Sequence, residues 1–217
     1  MLIVIEGTDG SGKATQTELL SSRFKADGKE HITLDFPRYT EPSSALIKAY
    51  LSGEFGTDPE AVNPFSASTF YAVDRIASYL SEWKQFYLSG GIVLADRYTT
   101  SNATHQGSKF KEREKREEFF EWLSGFEYGK LGLPSPDLVI FLDVPVTVTL
   151  ELMQVREVTD IHEANVEHLI KSKESALHAA DFYGWQIISC VGDNGKLRTV
   201  EAIHADVWEH VRNLLHK

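Results

Sequence analysis

Gly7, Gly12 and Lys13 stand at the spacing GxxxxGK, and each residue type there has a job in holding phosphate. The glycines, with Gly10 between them, let the backbone take positive φ and bring bare N–H groups against an anion. Ser11 lies inside the same turn, and Lys13 adds a full charge able to follow the β- and γ-phosphates of a nucleotide. The run Ile3 to Ile5 before the turn is β-branched and reads as a buried strand, while the residues after it are good helix formers. A helix beginning there points its positive end at the same anion. The alternative is a glycine-rich turn with one solvated lysine, which the strand before and the helix after disfavour.

The motif ordinarily continues with Ser or Thr, whose hydroxyl meets Mg²⁺, and this chain has Ala14. Thr15 is adjacent, but successive helical residues point about 100° apart, so it does not simply take the place over. Mg²⁺ keeps several waters and needs few protein ligands, so waters and the carboxylates of Asp9 and Asp96 are expected to hold it. Impaired catalysis is the other outcome.

Arg38 directly follows one apolar run and Arg97 another. Either alone could make a surface salt bridge. Two planar forks facing a phosphate loop make a second anion site, and hence two phosphorylated ligands. Asp96 closes its strand where P-loop enzymes place the carboxylate that orients the metal or its water shell.

The elements that must position these residues can be read in order. Strands are expected at Ile3–Ile5, His31–Phe36, Ile92–Asp96, Asp137–Asp143 and Trp185–Val191. Between them lie a helix after the phosphate loop, a short one over 43 to 52 capped by Ser43 or Ser44, and a long apolar stretch over 64 to 88. Residues 111 to 121 read as a solvated helix, 160 to 183 as a helix, and 198 to 216 as an amphipathic terminal helix. The stretch 64 to 88 carries too many apolar residues for one stripe, which implies a central position or a dimer face. The pattern describes a single α/β domain over residues 1–217, a doubly wound five-stranded parallel sheet that binds ligands at the carboxyl ends of its strands.

With 22 Lys+Arg against 32 Asp+Glu the formal charge is −10, which is unsuited to non-specific nucleic-acid binding. Cys190, the one cysteine, sits in an apolar run and reads as a core residue in a reducing compartment. Neither a signal peptide nor a membrane span is recognised, and a cytoplasmic location is expected.

Five segments together resemble the thymidylate kinase family of P-loop nucleoside monophosphate kinases. They are Glu-Gly-Thr-Asp-Gly-Ser-Gly-Lys at 6 to 13, Phe-Pro-Arg at 36 to 38, Tyr-Ala-Val-Asp-Arg at 71 to 75, Asp-Arg-Tyr at 96 to 98 followed by Ser101 and Gln106-Gly107, and Leu-Pro-Ser-Pro-Asp-Leu at 133 to 138. The resemblance runs from Leu2 to about Val191. It implies Mg²⁺-dependent transfer of the ATP γ-phosphoryl group to dTMP, with ATP phosphates on residues 7 to 15. It places the acceptor beside Phe36, with Tyr71 stacking on the thymine ring and Arg75 bonding a thymine carbonyl. Asp9 meets the ribose and phosphate region, Arg38 and Arg97 hold the acceptor phosphate, and Ser101 and Gln106 line the base and sugar. It further implies a homodimer and a lid over about 151–166, whose Arg156 serves the transferring phosphoryl group and is followed by the acidic pair Asp160 and Glu163. His105 stands where relatives carry an aromatic, which together with Ala14 leaves dUMP or another deoxynucleoside monophosphate open as acceptor. A nucleotide-binding protein that has lost turnover is the alternative from another class.

Overall fold

The computed structural model describes residues 1–58, 60–153 and 166–216. At its centre are five parallel strands, β1 (Leu2–Gly7), β2 (His31–Asp35), β3 (Ile92–Asp96), β4 (Leu138–Asp143) and β5 (Gln186–Ser189), in the order β2-β3-β1-β4-β5. β1 lies in the middle, pairing Ile5 with Asp96 on one side and Glu6 with Phe141 on the other. Because side chains alternate along a strand, Leu2 and Val4 enter one core while Ile3 and Ile5 enter another. A strand buried on both faces has to be apolar throughout, which is why β1, β3 and β4 read as continuous runs.

On one face lie α1 (Lys13–Ala26) and α9 (Val200–Leu215), which bring Leu20, Phe24, Val207 and Val211 to the core around Ile3 and Ile5. The other face is covered by α3 (Pro64–Ser78), α5 (Thr100–His105), α6 (Arg113–Ser124) and α8 (Val166–Tyr183). The short helices α2 (Ala45–Leu51), α4 (Lys84–Leu88) and α7 (Val146–Met153) complete the described set. Local chemistry sets several boundaries. The Asn63 side chain accepts from Phe65 N at 2.8 Å, and Pro64 follows it where a missing N–H costs nothing, so α3 begins there. Thr199 caps α9 in the same way.

Several expected boundaries move. Neither serine caps α2: the Ser43 hydroxyl donates to Asp74 Oδ1 at 2.6 Å and that of Ser44 to Glu41 O at 2.8 Å. The stretch 64 to 88 is not one uniform α-helix, because a π-helical turn over Tyr79–Trp83 joins α3 to α4. Tyr79 and Trp83, four residues apart, both face the core, their rings 4.7 Å apart. Val73 (47 % exposed), Leu80 (61 %) and Leu88 (61 %) lie on the surface, so the single chain does not bury this stretch on every side. A second π-helical turn, Gly125–Lys130, extends α6. β2 and β5 are shorter than the apolar runs that suggested them, and Cys190 is buried. Of the region expected to be helical from 160, α8 begins at Val166; residues 154–165, with Arg156, Asp160 and Glu163, lie outside the described residues.

Candidate functional site

At the carboxyl end of β1 the chain turns through Gly7–Gly12 and enters α1 at Lys13. Gly10 and Gly12 have φ of 76° and 88°, values that side-chain-bearing residues adopt at a cost. A Cβ on Gly7 would stand 3.1 Å from Leu142 O and closer still to Ser11 Oγ, so the loop closes against β4 only with glycine there. Lys13 is buried, its Nζ donating to Thr8 O at 3.0 Å. Burial, with Arg97 nearby, pushes its pKa down, against the opposing pull of Asp9, Asp96 and Glu6. The hydroxyls of Thr8, Ser11 and Thr17 are buried without a hydrogen-bond partner among the described residues, as donors awaiting anionic oxygens would be. Ala14 and Thr15 are exposed at the start of α1.

Beside this loop, across the ends of β2 and β3, opens a cavity of about 240 Å³. Asp9, Phe36, Tyr71 and Arg75 line it, and so do Arg97, Ser101 and Gln106; these are the acceptor residues that the resemblance implied, apart from Arg38. A larger cavity of about 450 Å³ runs from Asp137 and Trp185, at the amino ends of β4 and β5, to Thr99 and Thr100. It borders neither the glycine turn nor the arginines, and the smaller one is the candidate site.

Arg97 is the centre of the charge arrangement. It ion-pairs with Asp9, lies 3.5 Å from Glu6 Oε1, and donates to Ser101 Oγ at 3.3 Å; its Nη1 is also 3.3 Å from His105 Nε2. Burial disfavours its charge, but Asp9, Glu6 and Asp96 more than offset that and keep it protonated. Its φ is 66°, in the left-handed region, where a non-glycine residue costs on the order of 1 kcal/mol or more. Glu6 is itself fully buried and accepts at 2.7 Å from both Thr100 and Ser101 hydroxyls.

Arg38 takes a different place. Its backbone N–H donates to Asp74 Oδ2 at 2.8 Å and its Nε to Asp74 Oδ1 at 3.3 Å, while Nη1 pairs with Glu82 and Nη2 donates to Ser43 Oγ at 3.1 Å. The arginine at the end of β2 therefore has structural partners that the local sequence pattern did not reveal, and it braces Asp74 in the cavity wall.

Arg75 is buried beside the cavity and held by Glu127, also fully buried. Tyr71, one turn before it, lies at the cavity with its ring edge-on to Tyr50. Gln106 Oε1 is buried with no partner among the described residues. Asp96, paired in register with Asp35 and Ile5, sits among Lys13, Arg97 and Glu6; burial raises its pKa to about 6 against the pull of the two cations. Sequence reasoning missed Asp74 and Glu127. The first lies inside the Tyr-Ala-Val-Asp-Arg segment beside Arg75, whereas the second has no local signal.

A family model described as thymidylate kinase matches residues 5–203. The chain belongs to the thymidylate kinase family. A thymidylate kinase of Mycobacterium tuberculosis is 32% identical over 209 residues, covering 91% of this chain and 95% of the relative. A probable thymidylate kinase of Thermococcus onnurineus is 29% identical over 220 residues, covering both chains fully. As a member of the thymidylate kinase family, the protein is a P-loop nucleoside monophosphate kinase with ATP as co-substrate. Membership does not favour the lost-turnover or dUMP alternatives that Ala14 and His105 left open. No helix among the described residues is long and apolar enough to cross a membrane.

Proposed function

We propose that this enzyme binds dTMP in the 240 Å³ cavity and transfers to its phosphate the γ-phosphoryl group of ATP held on residues 7 to 15, giving dTDP and ADP. The observation that carries the reading is the cavity's position, wedged between a glycine turn closing on buried Lys13 and an arginine held at the end of the neighbouring strand. Two phosphorylated ligands can meet there directly, with no covalent enzyme intermediate. The work is positioning and charge neutralisation, with the acceptor phosphate attacking in line.

Within that reading, Arg97 holds the acceptor phosphate, and Asp9 aims it while bordering the sugar. Lys13 follows the transferring group, its lowered pKa reflecting a site that gains from a bound anion. Tyr71, Phe36 and Arg75 surround the base, with Ser101 and Gln106 at base and sugar. Arg38 is secondary, since a phosphate would compete with Asp74 and Glu82 for its guanidinium. Arg156 is proposed for the transferring phosphoryl group on the strength of the resemblance alone.

The donor set fits Mg²⁺ bound mostly through water and phosphate oxygens. Asp96 is a buried carboxylate next to Lys13 with a raised pKa, a group that a cation would favour, whereas Ala14 offers no ligand. Asp96 and Asp9 would hold the ion's water shell, and the metal, when bound, would neutralise charge on the phosphates. The exposed Val73, Leu80 and Leu88 support a homodimer through α3 and α4, and a cytoplasmic location fits a nucleotide-biosynthetic kinase.

ADP release with ATP and Mg²⁺ across dTMP, dUMP, dCMP, dGMP, UMP, AMP and thymidine tests the proposal. Turnover highest with dTMP supports it. Preference for another monophosphate would move the assignment of the base pocket, and silence with retained binding would sink phosphotransfer.

A further inference from the structure

We propose that Glu127, carried on the π-helical turn Gly125–Lys130, is a positioning residue for recognition of the acceptor base. It fixes the Arg75 guanidinium so that the remaining N–H groups are held in place at the cavity, where they would meet a base edge presenting a carbonyl oxygen. The inference rests on the reading of the cavity as the dTMP site.

The donor arithmetic supports it. A guanidinium carries five N–H groups in a rigid plane and no acceptor at any pH of interest. Arg75 Nε donates to Glu127 Oε2 at 2.7 Å and Nη2 to Oε1 at 2.6 Å, while Nη1 donates to Tyr98 O at 3.3 Å. Those three bonds leave one N–H on Nη1 and one on Nη2, and Arg75 borders the cavity. Arginine alone would give up side-chain freedom on meeting a ligand; the forked pair with Glu127 removes that freedom beforehand.

Glu127 is held in turn. Thr99 Oγ1 donates to its Oε2 at 2.8 Å and Asn102 Nδ2 to its Oε1 at 3.3 Å, so four donors from three residues converge on one fully buried carboxylate. Thr99 and Asn102 flank Ser101 on the segment that follows Arg97, so the same stretch orients the base reader and the phosphate reader. The backbone supplies a further sign. A π-helical turn is an uncommon departure from α geometry that recurs at functional sites, and here it is the element that delivers Glu127 to Arg75. Buried ion pairs add little net stability over apolar residues of similar volume, which leaves orientation as what this pair contributes. A pyrimidine with an amino group in place of the carbonyl would set donor against donor, a mismatch that buried polar sites reject strongly.

The test is steady-state kinetics of Glu127→Gln with dTMP, dCMP and ATP, beside Arg75→Lys and the double variant. Positioning predicts that E127Q raises KM for dTMP about tenfold or more, leaves KM for ATP unchanged, and narrows the preference for dTMP over dCMP. In the double variant the loss should not exceed that of R75K, because one interaction is removed twice. A uniform fall in activity with both KM values unchanged, or full additivity with R75K, would overturn the proposal. Should E127Q not fold, Thr99→Val removes one donor to Glu127 and is expected to raise KM for dTMP about two- to fivefold with ATP unaffected; no change would overturn it. If Arg75→Lys itself leaves dTMP binding and base preference untouched, the assignment of the base pocket fails, separately from the role of Glu127.

Discussion

The Arg97 guanidinium ion-pairs with the Asp9 carboxylate, joining the end of β3 to the phosphate loop. The group proposed to hold the acceptor phosphate is thereby tied to the loop proposed to hold ATP. Glu6, the last core residue before that loop, lies 3.5 Å from the same guanidinium, so the arginine is placed by β1 as well.

Arg97→Ala is accordingly expected to cut kcat/KM for dTMP by more than about tenfold, through loss of a charge that meets the transition state. ATP affinity, measured by calorimetric titration, should stay nearly intact, because Lys13 and the loop amides remain. Glu6 keeps its hydroxyl donors Thr100 and Ser101, so the variant should fold. Unchanged kinetics would remove Arg97 from the acceptor site.

Much of this arrangement is legible in the amino-acid sequence. The glycine spacing with Lys13 places the phosphate loop, and uninterrupted apolar runs mark the strands, since a strand covered on both faces has no polar position to spare. Arg97, Asp96 and Asp9 can be brought together because parallel sheets gather the residues at their carboxyl ends. What stays hidden depends on distance along the chain or on fine backbone geometry. Arg75 and Glu127 are 52 residues apart and no periodicity links them. The engagement of Arg38 by Asp74 and Glu82 comes from the approach of α3 to the end of β2. The π-helical turn over Tyr79–Trp83 has no local signal, because the apolar residues over 64 to 88 are too many to define one stripe whose break would show.

Gly7→Ala puts a methyl group 3.1 Å from Leu142 O and against Ser11 Oγ. The serine can rotate, but the carbonyl belongs to β4 and cannot move alone. We expect destabilisation of about 1–3 kcal/mol in denaturant melts, as for overpacking elsewhere, together with weakened ATP binding. A variant with normal stability and normal ATP affinity would show that the loop relaxes away from β4 at no cost.

Asp96 gives a pH signature. Its folded-state pKa is raised from 3.8 to about 6, chiefly by burial. Between about pH 4 and 6 the folded protein keeps a proton that the unfolded chain has lost, so this group's contribution favours folding as pH falls through that window and opposes it above. In metal-free protein with EDTA, Asp96→Asn should remove that decline and raise the melting temperature at pH 7.5, while kinase activity with Mg²⁺ falls. Identical pH–stability curves for the two proteins would show that burial of Asp96 is relieved by water.

Ala14 is exposed at the first turn of α1, so a hydroxyl added there meets no packed neighbour. Ala14→Ser should leave the fold and thermal stability unchanged within about 0.5 kcal/mol. Its effect should appear in the magnesium dependence. If the wild-type ion is held mainly through water, an added hydroxyl ligand lowers the Mg²⁺ concentration needed for half-maximal turnover and preserves or raises kcat. Titrating Mg²⁺ at saturating ATP and dTMP reads this directly. A large loss of kcat at every Mg²⁺ concentration would mean that the loop is shaped for alanine, with the water that replaces the hydroxyl built into the site.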